Sequence, residues 1–460
     1  MDKRKFNDQE TARRNKLSQL QKDKNDPFAI EKFKRNHNSA SFIKKYDKFT
    51  KGELHENNDE IIIAGRIMAI RQTFGVIKDF FGTVQFYINK NKVDEKTFKE
   101  FKQLDLGDIV GVYGTPMKTN TGMVTINVKK FVLLSKALRP LPEKYHGLVD
   151  EEARARHRYV DLIMNDESMN AFILRARIFQ IIREFMNNEG YLEVETPVLQ
   201  PILGGAAARP FTTHHNTLDR NYYLRIATEL PLKKLIAGGF DKVYEIGRIF
   251  RNEGMDAMHN PEFTSMEAYA AYQNLDDMMD LAESLFKYIA KEIKKEQFEY
   301  KGTKLDFSKK FERIRLIDVV KKYAKVDFDK IKSDKEAVEL AKKHHIELAP
   351  HEMKWGHVLN KFFEEFGEKN LVQPTIVYDY PIEISPLAKK LKDDPRMTRR
   401  FELFVCGKEY ANAFSELNDP IDQFARFEEQ LAEKEKGNAE ANEMDMDYIE
   451  ALEYGLPPTG

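Results

Sequence analysis

Between Ile61 and Leu134 the hydrophobic residues stop recurring at helical intervals and gather into short β-rich runs. These are Ile61-Ile62-Ile63, Val84-Gln85-Phe86-Tyr87-Ile88, Ile109-Val110-Gly111-Val112-Tyr113 and Val124-Thr125-Ile126-Asn127-Val128, punctuated by Gly65, Gly82, Gly107, Gly114 and Gly122. About 75 residues of that pattern suit a small closed barrel, and the oligonucleotide/oligosaccharide-binding fold (OB-fold) has the matching size. Such a barrel is a binding module. Exposed Phe and Tyr can stack bases while Arg66, Arg71 and Lys78 follow phosphates; for any one of Phe80, Phe81 or Phe86, filling the barrel is the expectation.

The flanks read differently. Residues 1–55 are polar with sparse apolar positions, a basic helical arm; after the connector Leu138-Arg139-Pro140-Leu141-Pro142 an α+β domain runs from 138 to 460, leaving 56–137 for the barrel. A net charge of -1 conceals a gradient, since positions 1–51 carry 15 Lys/Arg against 7 Asp/Glu and positions 416–453 carry 3 against 13. The arm can attract a phosphate backbone by counterion release, or it is a solvated lysine-rich helix. One cysteine, Cys406, excludes a disulfide scaffold or thiolate cluster. No apolar run approaches the roughly 18 residues of a membrane span, and Met1 to Asn15 lacks a signal-peptide core, so a cytoplasmic protein with no membrane partner is expected.

In the third region Ala171, Leu174, Ile178, Ile181, Ile182 and Phe185 recur at helical spacing, with Ser168 to cap the start and Gly190 to end it. Tyr191 to Pro197 then reads as an edge strand or interface turn. Val243 to Phe250 and Glu262 to Tyr269 read as two strands joined by a loop. If extended, Arg251 and Glu253 share a face, as do Phe263, Ser265, Glu267 and Tyr269. Arginine with a ring and carboxylates suits a nucleotide, although a surface charge ladder over a core phenylalanine accounts for the same residues. From Arg400 to Glu416, Gly407 can turn the chain so that Glu402 and Glu409 face each other, a pair suited to a hard divalent cation. Alone, two such glutamates are an ordinary solvated pair. His214-His215 and His344-His345 lack further ligands at spacing and read as surface residues, Trp355 as packing, Ile382 to Pro386 as a strand, and Glu428 to Glu450 as a mobile insertion or helix.

Gly190-Tyr191-Leu192-Glu193-Val194-Glu195-Thr196-Pro197 resembles motif 1 of the class II aminoacyl-tRNA synthetases, and Phe250-Arg251-Asn252-Glu253-Gly254 with His259 and Glu262-Phe263 resembles their motif 2. Within that class, Arg139-Pro140-Leu141-Pro142-Glu143-Lys144, Gly204 to Phe211, Ala227-Thr228-Glu229-Leu230-Pro231-Leu232-Lys233 and Phe414-Ser415-Glu416-Leu417-Asn418-Asp419 are similar to the bacterial-type lysyl-tRNA synthetases. The resemblance implies an OB-fold anticodon-binding domain followed by an α+β catalytic domain built on an antiparallel sheet. It also implies a homodimer, with Pro197 at the two-fold interface, and L-lysine, ATP and tRNA(Lys) as substrates. By similarity Arg251 is catalytic and grips the α-phosphate, Glu253 reads the adenine edge, Phe263 stacks on the ring and His259 reaches the outer phosphates. Glu402 and Glu409 would hold Mg2+. Gly205, Glu229, Glu267, Tyr269, Asn412 and Glu416 would receive lysine; Phe74 and Gln85 would meet anticodon bases.

Three departures accompany the resemblance: the chain is shorter than many relatives between Arg71 and Phe74, Met123 stands where many relatives have glutamate, and the family continues past a segment like Gly455 to Gly460 into motif 3, whose arginine binds the γ-phosphate. The expectation is therefore either a fragment of a longer protein or a chain without that arginine. A non-catalytic tRNA-binding or regulatory relative is the alternative of another class. Aspartyl- or asparaginyl-tRNA synthetases are disfavoured, because acidic lysine contacts would repel or leave unsatisfied their substrates.

Overall fold

The computed structural model describes residues 5–142, 150–206, 208–256, 259–435 and 443–460; Glu143, Lys144, Ala207 and Met258, quoted above or lying within quoted motifs, fall outside them, as does 436–442 of the acidic run. The chain folds as two compact units, Met1–Asn170 and Ala171–Gly460.

In the first unit five strands, β1 (Ile61–Arg71), β2 (Phe74–Asp79), β3 (Gly82–Tyr87), β4 (Ile109–Lys118) and β5 (Val124–Ser135), close into a barrel in the order β1-β2-β3-β5-β4. Closure leaves no open edge. Alternation sets the inner face: Ile61, Ile63 and Ile67 of β1 are fully buried, and a bulge between Ile67 and Ala69 bends the strand. Phe86 fills the centre, 5.2 Å from Phe131, whose ring stacks on Phe101. Phe101 comes from the helix Glu95–Gln103, which the strand pattern did not announce. Phe80 and Phe81, by contrast, are 61% and 51% exposed at the β2–β3 turn, so two of the three phenylalanines expected to fill the barrel do not.

The arm belongs to this unit. Helices Ser39–Tyr46 and Lys51–Glu56 deliver Phe42, Tyr46 and Leu54 into the barrel core. Arg13, on the helix Asp8–Lys22, donates to the carbonyls of Leu106, Ala137 and Arg139 at 2.9, 2.9 and 3.1 Å, and Lys16 meets Asp105 at 2.8 Å. Some of the arm's positive charge thus serves internal contacts. The same holds for two of the expected phosphate followers: Arg66 donates to the Gly107 carbonyl at 2.8 Å, and Lys78 pairs with Asp166 at 2.5 Å, while Arg71 stays exposed.

The long helix Asp166–Asn188 begins two residues before Ser168, which lies in its first turn and accepts from Arg154 at 3.0 Å instead of capping it. Its end is a Schellman closure: Gly190, at φ +82°, bonds to Asn187, and Tyr191 bonds back to Met186. In the second unit β6 (Leu192–Glu193) then pairs parallel to β7 (Lys242–Phe250), which pairs antiparallel to β8 (Glu262–Ala270). A second sheet runs β9 (Glu312–Arg315), β10 (Thr375–Pro381), β11 (Met397–Val405) and β12 (Lys408–Phe414) in that order, parallel between β9 and β10 and antiparallel elsewhere. Tyr244 and Ala270 of the first sheet share one core with Ile376, Phe401 and Leu403 of the second.

Several smaller expectations meet the structure here. Ile382–Ile384 is a 3-10 turn and not a strand, closed by the Ser385 N–H on the Ile382 carbonyl. Trp355 is buried against Phe328, and His214 and His215 are exposed, whereas His344 lies 5.1 Å from the Phe362 ring. Glu428 to Glu435 continue the helix Pro420–Glu435, and Met446–Glu453 is helical again. No helix among the described residues is long and apolar enough to cross a membrane.

Candidate active site

The β7–β8 register puts Ile249, Gly247, Glu245 and Val243 opposite Phe263, Ser265, Glu267 and Tyr269. Two carboxylates directly opposed would repel. Glu245 is compensated: its Oε1 accepts from Arg225 Nη1 at 2.5 Å, and its Oε2 accepts from the Thr196 amide and hydroxyl at 3.0 and 2.7 Å. Room for Arg225 comes from Gly247, where a Cβ would stand 2.1 Å from the guanidinium. Glu267 is left for the site.

Two more carboxylates, Glu229 and Glu416, converge beside it. Glu229 opens the helix Glu229–Ala237 and accepts from Lys233, one turn on, at 2.5 Å; Lys233 also pairs with Glu416, which follows β12. Glu267 accepts from the Thr228 N–H at 3.1 Å and the Tyr269 hydroxyl at 3.2 Å. Burial and the charge of Glu229 raise Glu267 above the usual carboxylate range. Burial pushes Glu416 up to about 8 against the pull of Lys233. Burial alone would strip Lys233 of its proton, yet Glu229 and Glu416 outweigh it and hold the ammonium charged. Gly205, at φ +89°, lies against this cluster, where a Cβ would come 3.3 Å from that of Glu229.

A second group gathers toward the other end of the same face. Arg251 and Glu253 lie beyond the end of β7, in the loop and not on the strand, so strand alternation does not set their directions. The Arg251 guanidinium stands 5.3 Å from the Phe263 ring centre. Glu253 accepts from the Arg209 N–H at 3.3 Å, and the exposed His259 meets Asp256 at 2.7 Å. Glu402, on β11, is held by Arg400 at 2.6 Å and by the Tyr380 hydroxyl at 2.9 Å. The partner of Glu402 across the ladder is Asn412 and not Glu409; a bulge in β12 sets Glu409 opposite Phe404. The two carboxylates still sense each other, since desolvation and then the charge of Glu402 push Glu409 up to about 7, with Arg400 and, more weakly, Arg251 pulling the other way. Among the described residues no group of three or more His, Cys, Asp or Glu is arranged to hold a metal ion. A repelling pair fits a cation that draws its remaining oxygens from a bound phosphate.

In the barrel, Phe74 pairs with Tyr87 across β2–β3 and Gln85 with Val76, so Phe74 and Gln85 share the half-exposed outer face. Gln85 accepts from Thr125 Oγ1 at 2.9 Å. Pro197 is exposed just after β6, and Leu192, Val198 and Leu199 beside it are exposed as well.

Arg225, Glu245, Lys233 and Arg400 carried no role in the sequence reading. The Glu229–Lys233 spacing of four on a helix was the available signal for one of them. Arg225 and Glu245 lie in separate segments that only the fold brings together.

Residues 150–460 match the family model described as tRNA synthetases class II (D, K and N), and residues 61–134 match the OB-fold nucleic acid binding domain. The chain is 60% identical over 457 residues to a lysine–tRNA ligase of Malacoplasma penetrans, covering 99% of this chain and 93% of that protein. It is 54% identical over 458 residues to the lysine–tRNA ligase of Ureaplasma urealyticum and 52% identical over 462 residues to that of Staphylococcus epidermidis, each with 99% and 93% covered.

Proposed function

We propose that this chain, which belongs to the class II tRNA synthetases (D, K and N), is a lysine–tRNA ligase of cytoplasmic translation, activating L-lysine with ATP and passing it to the 3′ end of tRNA(Lys). The observation that carries the reading is the surplus of negative charge at the buried Glu229 and Glu416 and the half-buried Glu267 against the single ammonium of Lys233. A second ammonium, on the substrate side chain, offsets part of it; the carboxylate of aspartate or the amide of asparagine does not.

In the first step a substrate carboxylate oxygen attacks the α-phosphorus of ATP and pyrophosphate leaves. That carboxylate is already ionised at neutral pH, so no general base is required. Positioning and charge neutralisation supply the acceleration. Arg251 neutralises the α-phosphate, Phe263 stacks on adenine, Glu253 reads its edge and His259 reaches the outer phosphates. Phe263 and Glu267 are four residues apart on β8, about 14 Å, which leaves room for the phosphate and an extended lysine between them. Tyr269, Asn412 and Gly205 complete the amino-acid contacts. Mg2+ held by Glu402 and Glu409 would offset phosphate charge. Phe74 and Gln85 meet anticodon bases, and the apolar surface around Pro197 is the interface of a homodimer.

Lysine-dependent exchange of pyrophosphate into ATP tests the activation step, with aspartate and asparagine as controls. Exchange with lysine alone is expected; none with any amino acid would sink the enzymatic reading. Glu267→Gln should raise the KM for lysine far more than that for ATP, and equal rises would remove its assigned role.

A further inference from the structure

Lys233 is an unusual component of a pocket meant for an ammonium ion. Its side chain is wholly inaccessible, its Nζ is shared between Glu229 and Glu416, and three rings surround it, Phe414 at 5.0 Å and Tyr269 and Tyr448 at 5.9 Å each. No step of the proposed reaction uses it. Every element around it brings a titratable group. The helix Glu229–Ala237 brings Glu229 and Lys233 itself, β8 brings Glu267 and Tyr269, the stretch after β12 brings Glu416, and the helix Met446–Glu453 brings Tyr448. Asp445, which caps that last helix, is 3.5 Å from Lys234, outside the cluster's own pairs.

The ammonium of Lys233 and that of a bound lysine therefore answer to the same carboxylates. We infer that Lys233 is a positioning residue of the amino-acid pocket: a resident ammonium that holds Glu229 and Glu416 together and fixes how much negative charge is left for the substrate's own. The inference rests on the lysine reading of the site. With three carboxylates around one ammonium, and Glu416 pushed up to about 8, the cluster keeps a proton near neutrality, and a second ammonium drives that proton off. Without the Lys233 charge the carboxylates retain more protons, and lysine must displace them all.

The test is the lysine KM in pyrophosphate exchange from about pH 6 to about pH 8.5, measured for the wild type, Lys233→Met and Lys233→Arg. For the wild type, the lysine KM falls as pH rises and levels off near 8, while inhibition by norleucine, the uncharged isostere, stays flat. Lys233→Met raises the lysine KM at pH 7 by about tenfold or more, the equivalent of one pKa unit, leaves the ATP KM within about twofold, and carries the fall to higher pH. Lys233→Arg, which keeps the cation, holds the wild-type profile. An unchanged lysine KM in Lys233→Met, or the same factor at every pH, overturns the inference, and so does a flat wild-type profile, which needs no variant to fold. The wild type and Glu416→Gln together separate the two levels. If the wild type shows no lysine-dependent exchange, the lysine reading itself falls; if Glu416→Gln raises the lysine KM while Lys233→Met does not, only the role of Lys233 falls.

Discussion

Arg225→Met removes a buried cation while keeping most of its length. Arg225 and Glu245 are each 4% exposed, so water cannot replace the lost partner. In the variant Glu245 keeps its two bonds from Thr196, but the oxygen that took Arg225 at 2.5 Å is stranded. Breaking a buried pair from one side costs about 3–5 kcal/mol. Arg225 also donates to the Arg248 carbonyl at 2.9 Å and the Thr196 carbonyl at 3.1 Å, so the expected loss lies toward the upper end of that range. Trp355, the only tryptophan, is buried in the same unit and reports its unfolding in urea by fluorescence. Glu245→Gln added to Arg225→Met removes the stranded charge and should recover about 1–2 kcal/mol. A single variant within about 1 kcal/mol of the wild type would refute the account, because the pair would then carry no burden of desolvation. So would a double variant whose loss equals the sum of the single losses.

Phe263→Ala should raise the ATP KM by about 5- to 150-fold, the equivalent of roughly 1–3 kcal/mol of stacking, with little change for lysine; parallel rises would count against a base-stacking role. Pro197→Gly should weaken self-association in sedimentation velocity, and an unchanged dimer constant would remove Pro197 from the interface. Asp161 is fully buried, and although burial opposes ionisation, bonds from Asn165 and Arg154 hold it far below the usual carboxylate range. Its contribution is therefore complete above about pH 4 and lost as pH falls below that. Asp161→Asn should flatten the acid limb of the first unit's stability in circular-dichroism melts, and parallel curves for variant and wild type would refute the assignment.

Periodicity made the barrel and the β7–β8 hairpin legible. Once the hairpin was granted, alternation alone put Phe263, Ser265, Glu267 and Tyr269 on one face, as the ladder has them. What escaped depended on contacts far apart in sequence. β2 was not among the runs read as strands; its short apolar stretch Phe74-Gly75-Val76-Ile77 is held in place by pairing with β1 on one side and β3 on the other. Charge count made the arm look solvated or RNA-seeking, yet Arg13 spends its guanidinium on three backbone carbonyls, of Leu106 before β4 and of Ala137 and Arg139 after β5. Ser168 looked like a cap because serine favours that position, but Asp166 begins the helix and Ser168 answers Arg154. The bulge that sets Glu409 opposite Phe404, and so on the same face as Glu402, is likewise a property of two strands together, invisible in either one.

Gly247 gives up its side chain so that Arg225 can reach Glu245, and this links three positions into one unit of change. Alanine at 247 is excluded while the guanidinium is there; a smaller residue at 225 makes the space but strands the carboxylate at 245; a neutral residue at 245 leaves the arginine without its charge. No single substitution among the three is neutral, and their effects cannot add. A redesign of this hairpin, for a different amino acid opposite Glu267 or for greater stability, must therefore move Arg225, Glu245 and Gly247 in concert.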